Sequence, residues 1–189
     1  VCKAQTRYLD AISWFNKAVE ANSAVHGPNH SNTAILLTHL ASLHKELGQP
    51  QVAVKLYEKA LTMRRTLFGQ EHESVAQSLN NLAVARKDLK QFTEAKMLFE
   101  DALRMYIACN NGNEETPEVA AAYNNLAGCL HDMDPTSPGA EKFGKLSVSI
   151  AEKVLGPSHP TTLRYVENWN DSVNKKSLYL KSYSSGTVK

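Results

Sequence analysis

One short pattern returns along this chain. Ser78–Arg86 reads SLNNLAVAR, Ala122–Leu130 reads AYNNLAGCL, and Leu37–His44 reads LTHLASLH. Leucine or tyrosine, two polar residues, then Leu-Ala: each copy is followed by a second apolar helix pattern. Ile12–Ala21, Val54–Met63 and Lys96–Met105 align with one another, and Ala18, Ala60 and Ala102 in them fall 42 residues apart. Phe15, Tyr57 and Phe99 each stand three residues before that alanine. A small residue beside an aromatic at helical spacing lets two helices approach closely. A chain built this way cannot fold around one central core. Each unit buries its apolar strip against its neighbours.

The punctuation repeats as well. Gly27 and Gly69 are 42 residues apart and stand where helices stop, as does Gly156. His30, His72 and His159 precede the first helix of a unit and read as turn and cap residues. Thr116-Pro117-Glu118 takes that place in the third unit, with Thr116 as N-cap, Pro117 at the first helical position and Glu118 complementing the helix dipole. These signals predict helix pairs at about 33–47 with 50–66, 75–88 with 92–108, and 118–132 with 139–154. Tyr8–Ala24 reads as a second helix lacking its first. Thr161–Lys175 reads as a first helix lacking its second, with Trp169 buried against the third unit as a cap. The repeat domain is therefore placed at 1–176, with three helix pairs and a partial unit at each end. Residues 177–189 are expected to be a disordered tail. The loops Asn110–Glu115 (NNGNEE) and Asp134–Gly139 (DPTSPG) break the regular spacing.

The Leu-x-x-Leu-Ala and Ala-x-x-x-Phe signatures resemble the tetratricopeptide repeat. The 42-residue unit is narrower. Leu79-Asn80-Asn81-Leu82-Ala83, Phe99-Glu100-Asp101-Ala102-Leu103, Leu67-Phe68-Gly69 with His72, and Leu155-Gly156 with His159-Pro160 make it similar to the cargo-binding domain of kinesin light chains. The fold class expected is all-α, a right-handed α-α superhelix with first helices on the concave side. The resemblance implies a non-catalytic adaptor that binds short extended peptides, acidic or rich in aromatics. It also implies a cytoplasmic, microtubule- or cilium-associated location, and a protein partner such as motor cargo or a heavy chain.

The helical period then selects a face. With Ala41, Ala83 and Ala127 packed inside each unit, positions three before, one after and four after them share one side. That side carries Thr38, Asn80 and Asn124 as a polar ladder, small residues Ser42, Val84 and Gly128 beside it, and Lys45, Lys87 and His131 as a basic edge. Amide side chains both donate to and accept from an extended peptide backbone, and a basic edge favours acidic residues. The competing reading of the asparagines is structural, as bonds between adjacent helices. The second asparagines, Asn81 and Asn125, fit that role. Arg86 stands where the repeat usually has an aromatic and has no assigned role.

Other chemistries lack their residues. Formal charge is +2, too balanced for nucleic acid by bulk attraction. No HExxH, CxxC pair, Gly-rich phosphate loop or GxSxG occurs, so no metal, cofactor or catalytic residue is expected. Cys2, Cys109 and Cys129 suit a reducing compartment, with Cys129 as buried packing. No apolar run is long enough for membrane insertion. Val1 is no start methionine, and a fragment of a longer protein is expected. The alternative to peptide binding is an oligomerisation array, assembling through an open N-terminal end.

Overall fold

In this computed structural model residues 2–184 have described backbone, and the side chains of 6–174, 176 and 177 are placed. The described residues form eight α-helices and no strand: α1 (Cys2–His26), α2 (Ser31–Glu46), α3 (Pro50–Phe68), α4 (Glu73–Asp88), α5 (Phe92–Cys109), α6 (Pro117–Met133), α7 (Pro138–Leu155) and α8 (Pro160–Ser184). They group into two compact units, Val1–Met105 and Tyr106–Lys189.

In the first unit α2 and α3 form a hairpin, with α1 against α2 and α4 against α3. The hairpin seam is apolar. Ala34, Leu37, Ala60 and Met63 form one buried cluster, with Val19 and Leu56 packed on it. The alanines allow close approach, and Ser42 Oγ meets Tyr57 OH across the seam at 2.9 Å. Desolvation in that seam raises the Tyr57 pKa above the ordinary phenol value, while the Ser42 bond partly offsets it.

In the second unit α6 and α7 form the hairpin and α8 packs on α7. Tyr123 of α6 stacks on Phe143 of α7, ring centroids 5.5 Å apart. Tyr165 and Thr162 are the buried anchors of α8. Trp169 lies half-buried against Gly144, where an added Cβ would stand 2.6 Å from the indole Cε3. The helix reaches Ser184, so Ser177–Ser184 differ from the expected tail. Residues 185–189 of that tail lie outside the described residues.

The histidines cap as the spacing predicts. Nδ1 of His30, His72 and His159 accepts from the backbone N–H of Asn32, Ser74 and Thr161 at 3.2, 3.1 and 3.2 Å. Each satisfies one orphan donor at a helix start. Thr116 does the same for Val119 N–H at 3.3 Å. Gly27, Gly69 and Gly156 follow helix ends at φ between +84° and +93°, a region that suits glycine alone. Cys129 is fully buried, as expected of packing.

Candidate functional site

The face selected by the repeat register is taken unit by unit. In the first unit Thr38 and Lys45 project from α2, and Asn80, Val84 and Lys87 from α4. All five are half-buried. Thr38 Oγ1 donates to the Ala34 carbonyl of its own helix at 2.8 Å, leaving the hydroxyl lone pairs outward. Ser42 Oγ is turned toward Tyr57 and also donates to the Thr38 carbonyl at 3.1 Å. It therefore belongs to the hairpin seam more than to an open face. Lys45 has only a loose pairing with its neighbour Glu46 at 3.7 Å, worth little at the surface. Ile35, one turn before Thr38, is 45% exposed.

In the second unit Asn124 and Gly128 on α6 are half-buried. Asn124 Oδ1 accepts from Asn168 Nδ2 of α8 at 3.2 Å. So the first asparagine of α6 bonds the neighbouring first-type helix, a job expected of the second asparagine. Its own NH2 group keeps two donors for other partners.

His131 does not form a basic edge. It is buried at 7% exposure. Pro135 and Ser137 of the DPTSPG loop, Glu141 of α7, and Trp169, Ser172 and Lys176 of α8 line the same small cavity. The longer loop and α8 close over the position that stays half-open at Lys45 and Lys87. Lys176 of α8 lies at this end and pairs with Glu141 at 3.1 Å. Lys145 reaches the same carboxylate at 2.8 Å, and the two ammonium groups hold the Glu141 carboxyl below its usual range. Asp134 is held below its usual range by hydrogen bonds from the hydroxyl and backbone N–H of Thr136, which make the loop turn.

Two structural roles carry no signature in local sequence. Arg86 is clamped in the first unit, with Nη2 2.6 Å from Glu58 of α3 and Nη1 3.1 Å from Glu94 of α5. It also donates to Gln91 Oε1 at 2.9 Å. His44, at the same register, meets Gln49 at 2.7 Å. The position is thus a polar latch on the following turn. Arg64 is 5% exposed and its Nη1 donates to Ser78 Oγ at 2.7 Å and the Ser74 carbonyl at 3.1 Å. Asn22, 42 residues earlier, donates to Thr33 Oγ1 at 2.7 Å. A polar stitch at that register ties α1 to α2 and α3 to α4, and the 42-residue spacing is the signal that finds it.

Among the described residues no group of three metal-ligating side chains converges. No helix there is long and apolar enough to cross a membrane. Tyr123 OH donates to Glu114 Oε2 at 3.1 Å; burial, that bond and the carboxylate charge push its pKa up to about 12. The pKa of Tyr165 is raised by burial, partly offset by Arg164. These shifts have packing causes.

No curated protein matches the chain in sequence. Among solved structures, it is similar to BtubC (BKLC) from P. vanneervenii, with TM-score 0.72 and 20% identity over 96% of this chain and 76% of that one. It is likewise similar to a kinesin-light-chain-type protein from Podosopora anserina with nearly identical TPR-like repeats. There the TM-score is 0.71 and the identity 21%, over 96% of this chain and 86% of that one. At such identities the likeness is one of fold, and it bears out the all-α repeat solenoid class. The tetratricopeptide repeat profile matches residues 1–66 and 55–108. With more than half its length matched on top of that architecture, the chain belongs to the tetratricopeptide repeat family.

Proposed function

We propose that this chain is a non-catalytic protein-interaction module that holds an extended peptide along its first helices. The observation that carries this is the recurrence, at one register, of half-buried small polar side chains beside small neighbours: Thr38, Asn80 with Val84, and Asn124 with Gly128. Each of these positions offers hydrogen bonds to a peptide backbone without demanding large side chains. Lys45 and Lys87 bias binding toward acidic ligands. The reading keeps those seven residues and drops His131. The names of the fold neighbours, a kinesin-light-chain-type protein and BKLC, favour a cargo adaptor in the cytoplasm, next to a microtubule motor or ciliary complex.

Replacing Asn80 and Asn124 together by alanine tests it. Helicity by circular dichroism stays unchanged, and capture of an array of acidic and tryptophan-containing peptides falls at least about tenfold, the loss of roughly 1.4 kcal/mol. Undiminished capture by the folded double variant would overturn the assignment.

A further inference from the structure

The DPTSPG loop carries a hydroxyl that the fold leaves idle. Asp134–Ser137 are non-helical, and Ser137 is extended at φ −54° and ψ 120°, as suits a residue before proline. Pro138 follows at the first position of α7, with fixed φ and no N–H. The neighbouring hydroxyls are engaged. Thr136 Oγ1 donates to Asp134 Oδ1 at 2.7 Å, and Ser172 Oγ to the Asn168 carbonyl at 2.9 Å. The other hydroxyl–proline pair in the sequence, Thr116-Pro117, spends its Oγ1 on capping α6. Ser137 holds the same position on α7, yet its side chain makes no cap bond. It is half-buried and lines the small cavity that Glu141 and Lys176 also line. Two lysines converge on one carboxylate there: Lys145 lies 2.8 Å from Oε1 of Glu141 and Lys176 3.1 Å from Oε2. Lys176 also acts, with His131, on Asp134 in the loop. Lys176 can therefore turn to a second anion while Lys145 keeps Glu141 paired.

We propose that Ser137 is a phosphorylation site for a proline-directed protein kinase, and that its phosphate fastens the loop to α7 and α8. The Ser137 oxygen attacks the γ-phosphorus of a nucleoside triphosphate held by the kinase. The Oγ–P bond forms as the bond from that phosphorus to the β-phosphate oxygen breaks. A nucleoside diphosphate leaves, and the hydroxyl proton passes to a carboxylate base of the kinase. The phosphoserine carries a charge of about −1.5 to −2 at neutral pH and three acceptor oxygens. At the start of α7 those oxygens reach the helix N–H groups that the Ser137 side chain leaves uncapped. The cavity, about 20 Å³, is too small for a phosphate, so the group stays at its rim with Lys176. Asp134 and Glu141 oppose the new charge, so the sign of the effect rests on Lys176: with its ammonium the phosphate orders the loop, and without it the phosphate loosens the loop. Neither the site nor its test involves Asn80 or Asn124, and both stand apart from peptide binding.

The test is treatment of the whole folded chain with a proline-directed serine kinase and ATP, read by mass spectrometry. A single phosphate on Ser137 is expected. Ser137→Ala removes it, and Thr116→Ala leaves it in place. The phosphorylated chain melts about 2–4 °C above the unmodified one. Lys176→Ala accepts the same phosphate and gains no melting temperature from it. A kinase that labels the isolated loop peptide Asp132–Lys142 but not the folded chain overturns the site, and so does a phosphate found on Thr116 in place of Ser137. A Ser137 phosphate that shifts melting equally in the wild type and in Lys176→Ala overturns the role given to Lys176.

Discussion

The two hairpins α2–α3 and α6–α7 solve the same packing problem with different edges. In α2–α3 the turn is Leu47-Gly48-Gln49, with Gly48 at φ +71°. It is short, so the end of α2 stays open to water and carries polar residues: His44 latches Gln49 and Lys45 is half-exposed. In α6–α7 the DPTSPG loop is longer and folds back over α6. Leu130 replaces the polar latch and stands 3.2 Å from the point where a Cβ on Gly139 would lie. His131 replaces the lysine and is buried. One loop therefore changes the chemistry of an edge whose helix pattern is nearly unaltered. A repeat position inherits its register from its helix and its exposure from the loop beside it.

The sharpest way to break that comparison is a reciprocal exchange. His131→Lys puts a longer cationic side chain at a buried position, in a cavity where Lys176 already takes the Glu141 carboxylate. It should cost about 2–3 kcal/mol in urea unfolding, at the upper end of ordinary substitutions. Lys87→His at the open edge of the first unit should cost less than about 1 kcal/mol. Equal costs would mean that the loop does not decide the environment.

Next in size is Gly144→Ala. The added methyl carbon would stand 2.6 Å from Trp169 Cε3, closer than packed side chains tolerate. The indole is a flat ring wedged between α7 and α8, so relief requires moving α8. A loss of about 1–3 kcal/mol is expected, with Trp169 fluorescence shifted to the red. A neutral outcome would show that α8 is held by Tyr165 and Thr162 alone.

How much of this was legible depends on how far each determinant reaches along the chain. Helix positions, the histidine caps and the glycine stops were readable because each acts within a few residues: His72 caps Ser74, and Gly69 ends α3. The register of Thr38, Asn80 and Asn124 followed from the helical period. Three features were not readable. His131 is buried and shares a small cavity with Trp169 and Pro135, which belong to other elements. Arg86 looks like a surface cation until Glu58 and Glu94 arrive from two other helices. Asn124 bonds Asn168, 44 residues away, although alignment on the histidine caps matches Asn168 to the second asparagine. In each case one deciding partner, Trp169, Glu58 or Asn168, is distant in sequence, and single-chain periodicity carries no information about it.

The polar latch gives a smaller effect. Arg86→Ala should cost about 0.5–1 kcal/mol, because its carboxylate partners are half exposed and water screens them. That cost should shrink further in about 1 M salt, where the Debye length is about 3 Å. Replacing Leu130 by alanine removes apolar packing instead, so its cost should be unchanged by salt. A salt-sensitive Leu130→Ala would contradict the contrast drawn between the two edges.

The finest comparison lies between two seam tyrosines. Tyr57 meets a hydroxyl, Ser42, in the first unit. Tyr123 meets a carboxylate, Glu114, in the second. A phenolate at Tyr123 would lose its donated bond and face a negative charge, so the folded state holds that proton until about pH 12. An unfolded tyrosine releases it near 10. Between those values the folded state binds more protons than the unfolded one. Stability falls as pH rises wherever that is so. The Tyr123 contribution is thus complete below about pH 10 and is lost as pH climbs toward 12. Tyr123→Phe removes this dependence together with the Glu114 bond. Melting temperatures of the wild type and the variant, measured from pH 9 upward, should differ near neutrality and converge as pH approaches 12. Tyr57→Phe should leave a smaller pH-dependent gap, because its Ser42 bond lowers the pKa that burial raises. Parallel curves for Tyr123→Phe and wild type across that range would show that Glu114 does not hold the phenol in solution.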